Sequence, residues 1–352
     1  MKRNILSLVL AGLMFFGLAG AAQAEPAKPR VISLYAAHTE VLLRLGAKDN
    51  IIGVSAQETY RGPETEGWTP PVFSIRDDVE KFLAAKPDIV LVRPMHMAAG
   101  SRLVETLQST GVNVYSAQVV RAGDLYQYWR DLAKLVGRED EAEKMILDFD
   151  AAVSVYHQAA ARRAEADKPG VFIEAIHDRI KTFTPDSLPI WLVELAGGRN
   201  AAADAKPQAP GLIIAEYGPE RLLAKAGQVD IFISQLGPMN LAPLKRVKGR
   251  EIYRPLRAFK DGRVYKIGEE ILARPTPSLL VGLKQLAEWT GLQDELPNDA
   301  ALTEAAPEAT AEVPAQAPAE DDDAALEDAG NGSGEVLPLK VDLPPGESGG
   351  SE

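Results

Sequence analysis

The chain contains only four histidines, and three of them follow aliphatic segments that are typical of β-strands. His38 comes after RVISL, His96 after DIVLV and His177 after VFIEAI, whereas His157 lies in a long helical pattern. Neutral imidazole is a common ligand of zinc, iron, cobalt and nickel. The three strand-end histidines could therefore ligate a metal ion or a chelated metal. The alternative is that they hydrogen-bond to the backbone or contact an organic ligand.

Other residues beside the same strand ends are suited to binding an anionic molecule. Arginine pairs with carboxylates through two parallel hydrogen bonds, although a lone arginine often forms only a surface salt bridge. In parallel α/β folds, ligands bind beyond the carboxyl ends of the strands. The predicted ligand contacts are Tyr35, His38, Tyr60, Arg61, Arg93, His96, His177, Arg179, Met239 and Arg274.

Two further acids lie in a repeated unit. The segments DDVEKFLAAKPDIVLV and GPERLLAKAGQVDIFIS each contain a Glu, an apolar-periodic helix, an Asp and an aliphatic strand. Glu80 and Glu220 hold the matching positions. An acidic side chain in the first turn interacts favourably with the helix dipole and stabilises the helix by about 0.3–1 kcal/mol. The dipole explains either acid alone, but the duplication favours a shared function.

The elements that position these residues alternate between strand and helix in both halves of the chain. Strands are predicted at RVISL, IIGVS, DIVLV and VNVYSAQ, and later at VFIEAI, VDIFISQ and RVYKIG. Helices lie between them, the first with Thr39 as its N-cap. Such alternation, with strands aliphatic on both faces, indicates parallel βαβ layers.

Residues 122–168 contain no strand signal and separate the two halves. They contain the helix LYQYWRDLAKLVG and a second helix of about 28 residues, which would be roughly 42 Å long. The prediction is an α/β fold with two Rossmann-like lobes, 25–121 and 169–296, joined by one long backbone helix. The ligand cleft is expected between the lobes.

The two ends of the chain have different compositions from the body. Residues 1–24 combine Lys2 and Arg3 with an apolar run and an Ala22-Gln23-Ala24 cleavage site, which predicts a signal peptide and a periplasmic location. A membrane anchor is the alternative, but no stop-transfer segment follows it. Residues 297–352 are acidic and lack aromatic residues, so we expect a disordered tail.

Composition excludes several classes of function. The chain has no cysteine, which excludes disulfides, cysteine catalysis, cysteine-ligated metal and a lipid attached to cysteine. Its net charge of −12 comes from the tail, and the near-neutral body lacks the basic excess of a nucleic-acid-binding protein. No GxSxG, HExxH or P-loop motif is present, so we do not expect an enzyme.

Four segments in order resemble the periplasmic binding proteins of ferric-siderophore and vitamin B12 ABC importers. They are VISLYAAHTEVLLRLGAKDNIIGVS, VEKFLAAKPDIVLV, LVELAGGRNAA and RVYKIG…ARPTPSLLVGLKQLAE. The resemblance implies two lobes on one long helix and a metal chelate, an iron siderophore or cobalamin, as ligand. It also implies a monomeric receptor without a permanently bound cofactor, which delivers its ligand to an inner-membrane ABC permease.

The resemblance gives the paired glutamates a role. In this family one Glu on each lobe contacts arginines of the permease, and Glu80 and Glu220 match those positions. Two equivalent charges suit a two-fold symmetric partner, and such charge pairs mainly set orientation and association rate. The alternative function is a receptor for a bare transition-metal ion. It requires His38, His96 and His177 to come within about 2 Å of one ion.

Overall fold

The computed structural model describes residues 28–99 and 101–297, so the predicted signal peptide and nearly all of the predicted tail lie outside the described residues. The first lobe is built around a parallel sheet with the order β3-β2-β1-β4-β5. Its elements are β1 (Val31–Ser33), α1 (Ala36–Arg44), β2 (Ile51–Ser55), β3 (Val72–Phe73), α2 (Val79–Ala85), β4 (Ile89–Val92), α3 (Pro94–Ala99), α4 (Ser101–Ser109) and β5 (Asn113–Ser116).

Two helices connect the lobes, α5 (Leu125–Val136) and α6 (Glu139–Arg162). The α6 helix has 24 residues, which corresponds to about 36 Å and is shorter than predicted. It ends because Arg163 adopts an extended backbone conformation, with φ −74° and ψ 135°. None of the described helices is both long and apolar enough to cross a membrane.

The second lobe has a parallel sheet with the order β11-β10-β6-β8 and a separate antiparallel pair, β7 and β9. Its elements are β6 (Gly170–Glu174), β7 (Lys181–Phe183), α7 (Leu188–Leu195), β8 (Arg199–Asn200), β9 (Ile214–Glu216), α8 (Pro219–Ala224), β10 (Ile231–Leu236), α9 (Leu244–Gly249), α10 (Arg257–Lys260), β11 (Val264–Gly268), α11 (Glu269–Leu272) and α12 (Leu279–Thr290). The two-lobed α/β architecture predicted from the sequence is confirmed.

The repeated unit has the same structure in both lobes. The strand after each glutamate helix pairs with the first strand of its sheet, with Val31 opposite Ile89 and Val171 opposite Ile231. The aspartate just before each of these strands makes the same hydrogen bond in both lobes. Asp88 accepts a hydrogen bond from the backbone N–H of Arg30, and Asp230 accepts one from Gly170, each at 2.7 Å.

The predicted N-cap of α1 is wrong. The N-cap residue is Tyr35, and the helix begins at Ala36, with two residues between it and the end of β1. Thr39 therefore lies inside the helix, fully buried, where its hydroxyl donates a 2.8 Å hydrogen bond to Ser33 Oγ.

One continuous hydrophobic core joins the two lobes through α5 and α6. It includes Leu42 from the first lobe and Leu283 from the second. Trp129 of α5, fully buried, packs edge-on against Phe149 of α6 at 5.0 Å. Its indole N–H donates a 2.8 Å hydrogen bond to the carbonyl of Pro275 in the second lobe. The linking helices are thus part of the packing of both lobes.

Candidate ligand-binding cleft

A cleft lies where the carboxyl ends of the two parallel sheets face each other. It comprises two adjoining cavities with about 540 and 640 Å³ of open space, part of it continuous with solvent. Tyr35, Arg93 and Glu269 line both cavities. The first cavity is bounded mainly by the first lobe, and the second by both lobes.

The wall formed by the first lobe combines an aromatic ring with a cation. Tyr35 has an extended backbone between β1 and α1, and the Arg93 guanidinium lies over its ring, 4.9 Å from the centroid. The Nδ1 atom of His96 lies 3.3 Å from the backbone N–H of Arg93, which donates to it. A planar or anionic ligand could stack on this wall and bond to the guanidinium.

An ion pair on the second lobe reaches across the cleft. Arg274 Nε donates to Glu269 Oε1 at 3.0 Å, and both side chains are largely buried. The same guanidinium donates to Thr59 Oγ1 of the first lobe at 2.7 Å. Burial opposes the arginine charge, but Glu269, Tyr35 and Glu270 together outweigh it, so the pKa of Arg274 lies above its ordinary value. Arg274 is therefore a fixed cation that holds the lobes together at the cleft.

The second cavity is also lined by uncharged polar side chains and a methionine. Met239 lines it beside Gln118 and Gln235. The Gln235 side chain is 2% exposed, and its Oε1 has no hydrogen-bond partner within the described ranges. A buried acceptor of this kind is costly when unpaired. It could accept a hydrogen bond from a ligand N–H or O–H group.

Five of the ten predicted contacts line the cleft, and five do not. The lining residues are Tyr35, Arg93, His96, Met239 and Arg274, and the others are His38, Tyr60, Arg61, His177 and Arg179. The residues outside the cleft have local hydrogen bonds or are turned to solvent.

The first-lobe residues outside the cleft are held by their own neighbours. His38 is fully buried behind Tyr35, with ring centroids 5.1 Å apart, and its Nε2 donates to Ala117 O at 3.2 Å. Burial lowers the pKa of His38 to about 3. Tyr60 donates to Glu64 at 2.8 Å. Arg61 is exposed and donates to the carbonyl of Tyr60, the residue before it.

In the second lobe, His177 belongs to a buried polar network. Its Nδ1 lies 3.0 Å from Glu174 Oε2, which also accepts a 3.0 Å hydrogen bond from Ser234 Oγ. The Tyr253 hydroxyl donates to the other carboxylate oxygen. Glu174 lies inside the lobe, so its contact with the His177 ring holds that ring away from the cleft. Arg179 is exposed.

The structure also bears on the bare-metal alternative. Across residues 28–99 and 101–297, no group of three or more histidine, aspartate or glutamate side chains could hold a metal ion. His38 and His96 belong to the first lobe and His177 to the second. The structure therefore does not form the three-histidine site that the alternative requires.

Glu269, Gln118 and Gln235 are among the cleft residues that were not predicted. Glu269 directly follows β11, so the same strand-end position that indicated the other candidates also indicates Glu269. Gln118 lies two positions beyond β5, and Gln235 is the next-to-last residue of β10. Their side chains carry no charge, and the sequence offers no comparable signal for them.

The paired glutamates lie outside the cleft. Glu80 is the second residue of α2 and Glu220 the second residue of α8, and both are exposed. Neither carboxylate has a hydrogen-bond or ion-pair partner among the residues that the structure describes. The adjacent bases are engaged elsewhere, since Lys81 pairs with Asp77 and Arg221 with an aspartate at position 204. Both acids are available to a partner.

Comparison with known proteins gives consistent matches. Residues 31–271 match the family described as periplasmic binding protein. An uncharacterized ABC transporter substrate-binding lipoprotein of Bacillus subtilis is 25% identical over 268 residues, covering 75% of this chain and 80% of the relative. A vitamin B12-binding protein of Vibrio cholerae is 24% identical over 288 residues, covering 81% and 97%. The crystal structure of a possible iron-binding, periplasmic solute-binding protein from Staphylococcus epidermidis aligns with a TM-score of 0.63 at 24% identity, covering 75% of this chain and 99% of that one.

Proposed function

Because the chain belongs to the periplasmic binding protein family, we propose that it is an exported receptor that captures a metal chelate and delivers it to an inner-membrane ABC permease. The family consists of binding proteins for transporters, so the chain is not an enzyme. The observation that carries the proposal is the cleft between the sheet ends, where residues of both lobes surround the same space. The ligand is an iron siderophore or a corrinoid, bound reversibly as cargo by a monomeric receptor.

The chemistry of the cleft supports a chelate as cargo. Arg93 lies over the ring of Tyr35, so the cleft wall offers a cation stacked on an aromatic ring, and Gln235 offers a buried acceptor. Siderophores and corrinoids combine conjugated or apolar surface with carboxylate or amide groups, which these side chains match. The relatives named for vitamin B12 and for possible iron binding support the same class.

Removal of the Arg93 guanidinium should weaken binding of the cargo. We expect Arg93→Ala to reduce affinity about tenfold to hundredfold, because a charged hydrogen bond contributes about 1.5–3 kcal/mol. Isothermal titration with a ferric catecholate, a ferric hydroxamate, cyanocobalamin, haemin and free Fe³⁺ and Zn²⁺ measures this directly. The matched control is Arg179→Ala, which removes an exposed arginine outside the cleft.

Two results would contradict the proposal. The first is binding of a free ion but of no chelate. The second is equal affinity of Arg93→Ala and Arg179→Ala for the cargo. Native mass spectrometry of the protein purified from its own periplasm, with metal analysis of the released molecule, identifies the cargo independently.

Reversal of both docking charges should stop transport without affecting capture. We expect the double variant Glu80→Lys, Glu220→Lys to lose uptake, because two lysines would face the cations of the permease. Its affinity for cargo should equal that of the wild type, since both sites lie outside the cleft. The control reverses two exposed acids on other helices, Asp148→Lys and Glu288→Lys. Normal uptake by the Glu80/Glu220 double variant refutes the docking role.

A further inference from the structure

The match between the two glutamate helices extends beyond the acids. Residues 80–84 read EKFLA and residues 220–224 read ERLLA. The fourth residue of each segment is a leucine, and these leucines are exposed to nearly the same extent, 36% for Leu83 and 37% for Leu223. Side chains three residues apart lie on the same face of a helix. Each exposed leucine is therefore adjacent to its unpaired glutamate.

The packing of the helices does not require these leucines. Phe82 of α2 is fully buried, and Leu222 of α8 is 1% exposed. These two residues attach the helices to their lobes, in the hydrophobic clusters beneath α2 and α8. Leu83 and Leu223 follow directly and point to another side, where they leave apolar surface in contact with water. Such exposure in both lobes at the same position favours a contact made outside the chain.

The charges beside the leucines are arranged alike. Lys81 is paired with Asp77 and Arg221 with the acid at position 204, so neither base neutralises the glutamate that precedes it. Each lobe thus presents one carboxylate and one leucine side by side. We name these surfaces the Glu80–Leu83 patch and the Glu220–Leu223 patch.

We propose that each patch is a composite docking contact, in which the leucine enters an apolar recess beside the cation that pairs with the glutamate. The occupant is the ABC permease of the proposed function, on which this inference rests, with the same recess in each of its two halves. Two identical patches require two equivalent receiving sites. The leucine contact removes water from around the ion pair, which strengthens the pair and slows dissociation.

The permease therefore needs a specific local chemistry. Each half must present an arginine or lysine within one or two residues of an apolar depression on its periplasmic face. A partner with basic residues alone would satisfy the glutamates and leave both leucines in water. The proposal accordingly distinguishes a purely electrostatic contact from one with an apolar centre.

Binding to spheroplasts tests the leucines. Spheroplasts expose the periplasmic face of the inner membrane, and the fluorescently labelled full chain is titrated onto cells that contain or lack the permease that imports the cargo. We expect Leu83→Ser or Leu223→Ser to weaken permease-dependent binding about threefold, and the double variant about tenfold, through faster dissociation. Leu83→Met with Leu223→Met should retain wild-type binding, because methionine keeps the apolar contact.

The matched control is Leu147→Ser on α6, where a leucine is 69% exposed outside both patches. Wild-type binding by the Leu83→Ser, Leu223→Ser double variant overturns the inference. So does an equal loss in the Leu147→Ser control. Thermal unfolding of each variant establishes that it is folded.

The glutamate variants separate this inference from the proposed function. Loss of binding in the Glu80→Lys, Glu220→Lys variant with normal binding in the leucine variants leaves the docking role in place and overturns only the leucine contact. Normal binding in the glutamate variant refutes the docking role itself.

The absence of cysteine permits a direct structural test. Leu83→Cys and Leu223→Cys each create a unique thiol for a short photoactivatable cross-linker. We expect both positions to attach to the same segment of the permease, next to an arginine or lysine, and Leu147→Cys to give no such product. Attachment of the two positions to unrelated segments or to lipid alone would overturn the proposal of two equivalent recesses.

Discussion

The imidazole of His38 is enclosed by two aromatic rings and a backbone carbonyl. Tyr35 lies edge-on at 5.1 Å, Tyr128 lies at 5.8 Å, and Ala117 O accepts the Nε2 proton. Burial and the nearby charge of Arg93 both disfavour a second proton. His38 therefore stays neutral and supports the ring of Tyr35 from behind, which positions the aromatic wall of the cleft.

The low pKa of His38 predicts a loss of stability on acidification. Between pH 6.5 and about 3 the unfolded chain binds a proton that the folded protein excludes, so the free energy of unfolding falls as pH falls. From pH 7 to pH 5 this residue should account for a loss of about 2 kcal/mol. Urea denaturation at both pH values should show that loss disappearing in His38→Gln.

The matched control for this prediction is His157→Gln, which replaces an exposed histidine on α6. It should keep the pH dependence of the wild type. If His38→Gln also keeps it, His38 is not the buried neutral group described above.

At the residue scale, sequence position predicted the correct end of the sheet but not the direction of each side chain. Tyr35 and His38 are three residues apart, yet only Tyr35 reaches the cleft, because α1 begins directly after it and turns His38 into the core. Arg93 and Arg179 each follow a strand of the parallel sheet of their lobe, and only Arg93 lines the cleft. The difference depends on loop paths that residue types do not encode locally.

The strand-start aspartates explain how the repeated unit holds its shape. Each aspartate accepts a hydrogen bond from a backbone N–H at the start of the first strand of its lobe. Asp88 accepts from Arg30, just before β1, and Asp230 accepts from Gly170, the first residue of β6. This bond links the strand after the glutamate helix to the neighbouring strand at its amino end. The carboxyl ends of those strands, and the cleft residues on them, are positioned by the same pairing.

Replacement of these aspartates should destabilise the protein unequally. Asp230 also pairs with Arg257 at 2.7 Å and is less exposed than Asp88. We expect Asp88→Ala to lower the free energy of unfolding by about 1 kcal/mol and Asp230→Ala by about 2–3 kcal/mol, because the second leaves two groups unpaired. Equal losses in denaturant titrations would contradict the additional role of Asp230.

At the element scale, strands in apolar runs and long helices were predicted well, and short elements with charged residues were not. The strands around Ile32 and Ile233 lie in mainly apolar runs and are where they were predicted. The antiparallel pair β7–β9 and the short helices α9, α10 and α11 have only three to six residues each, too few for a periodic signal. Tertiary contacts determine these elements.

One hydrophobic core extends through both lobes and holds the whole molecule together. Buried residues of both sheets and of α5 and α6 belong to one cluster. Hydrogen bonds add to it, since Arg274 reaches Thr59 and Trp129 reaches Pro275. The lobes are therefore not independent folding units.

A single cooperative unfolding transition is expected from this arrangement. Calorimetry should show one peak whose calorimetric and van't Hoff enthalpies agree. Leu42→Ala in the first lobe and Leu283→Ala in the second should each lower the whole transition, with a loss of about 2–5 kcal/mol. Two separated peaks in either variant would show that the lobes unfold independently.

The shared core also has a consequence for the rate of transport at the membrane. Because α5 and α6 are packed into both lobes, we expect the distance between the Glu80–Leu83 and Glu220–Leu223 patches to change little when a ligand enters the cleft. If the patches dock as proposed, the permease should then recognise an empty receptor about as well as a loaded one. Empty receptors would compete for the same docking sites, so the rate of import should depend on the ratio of loaded to empty receptors rather than on the total number exported.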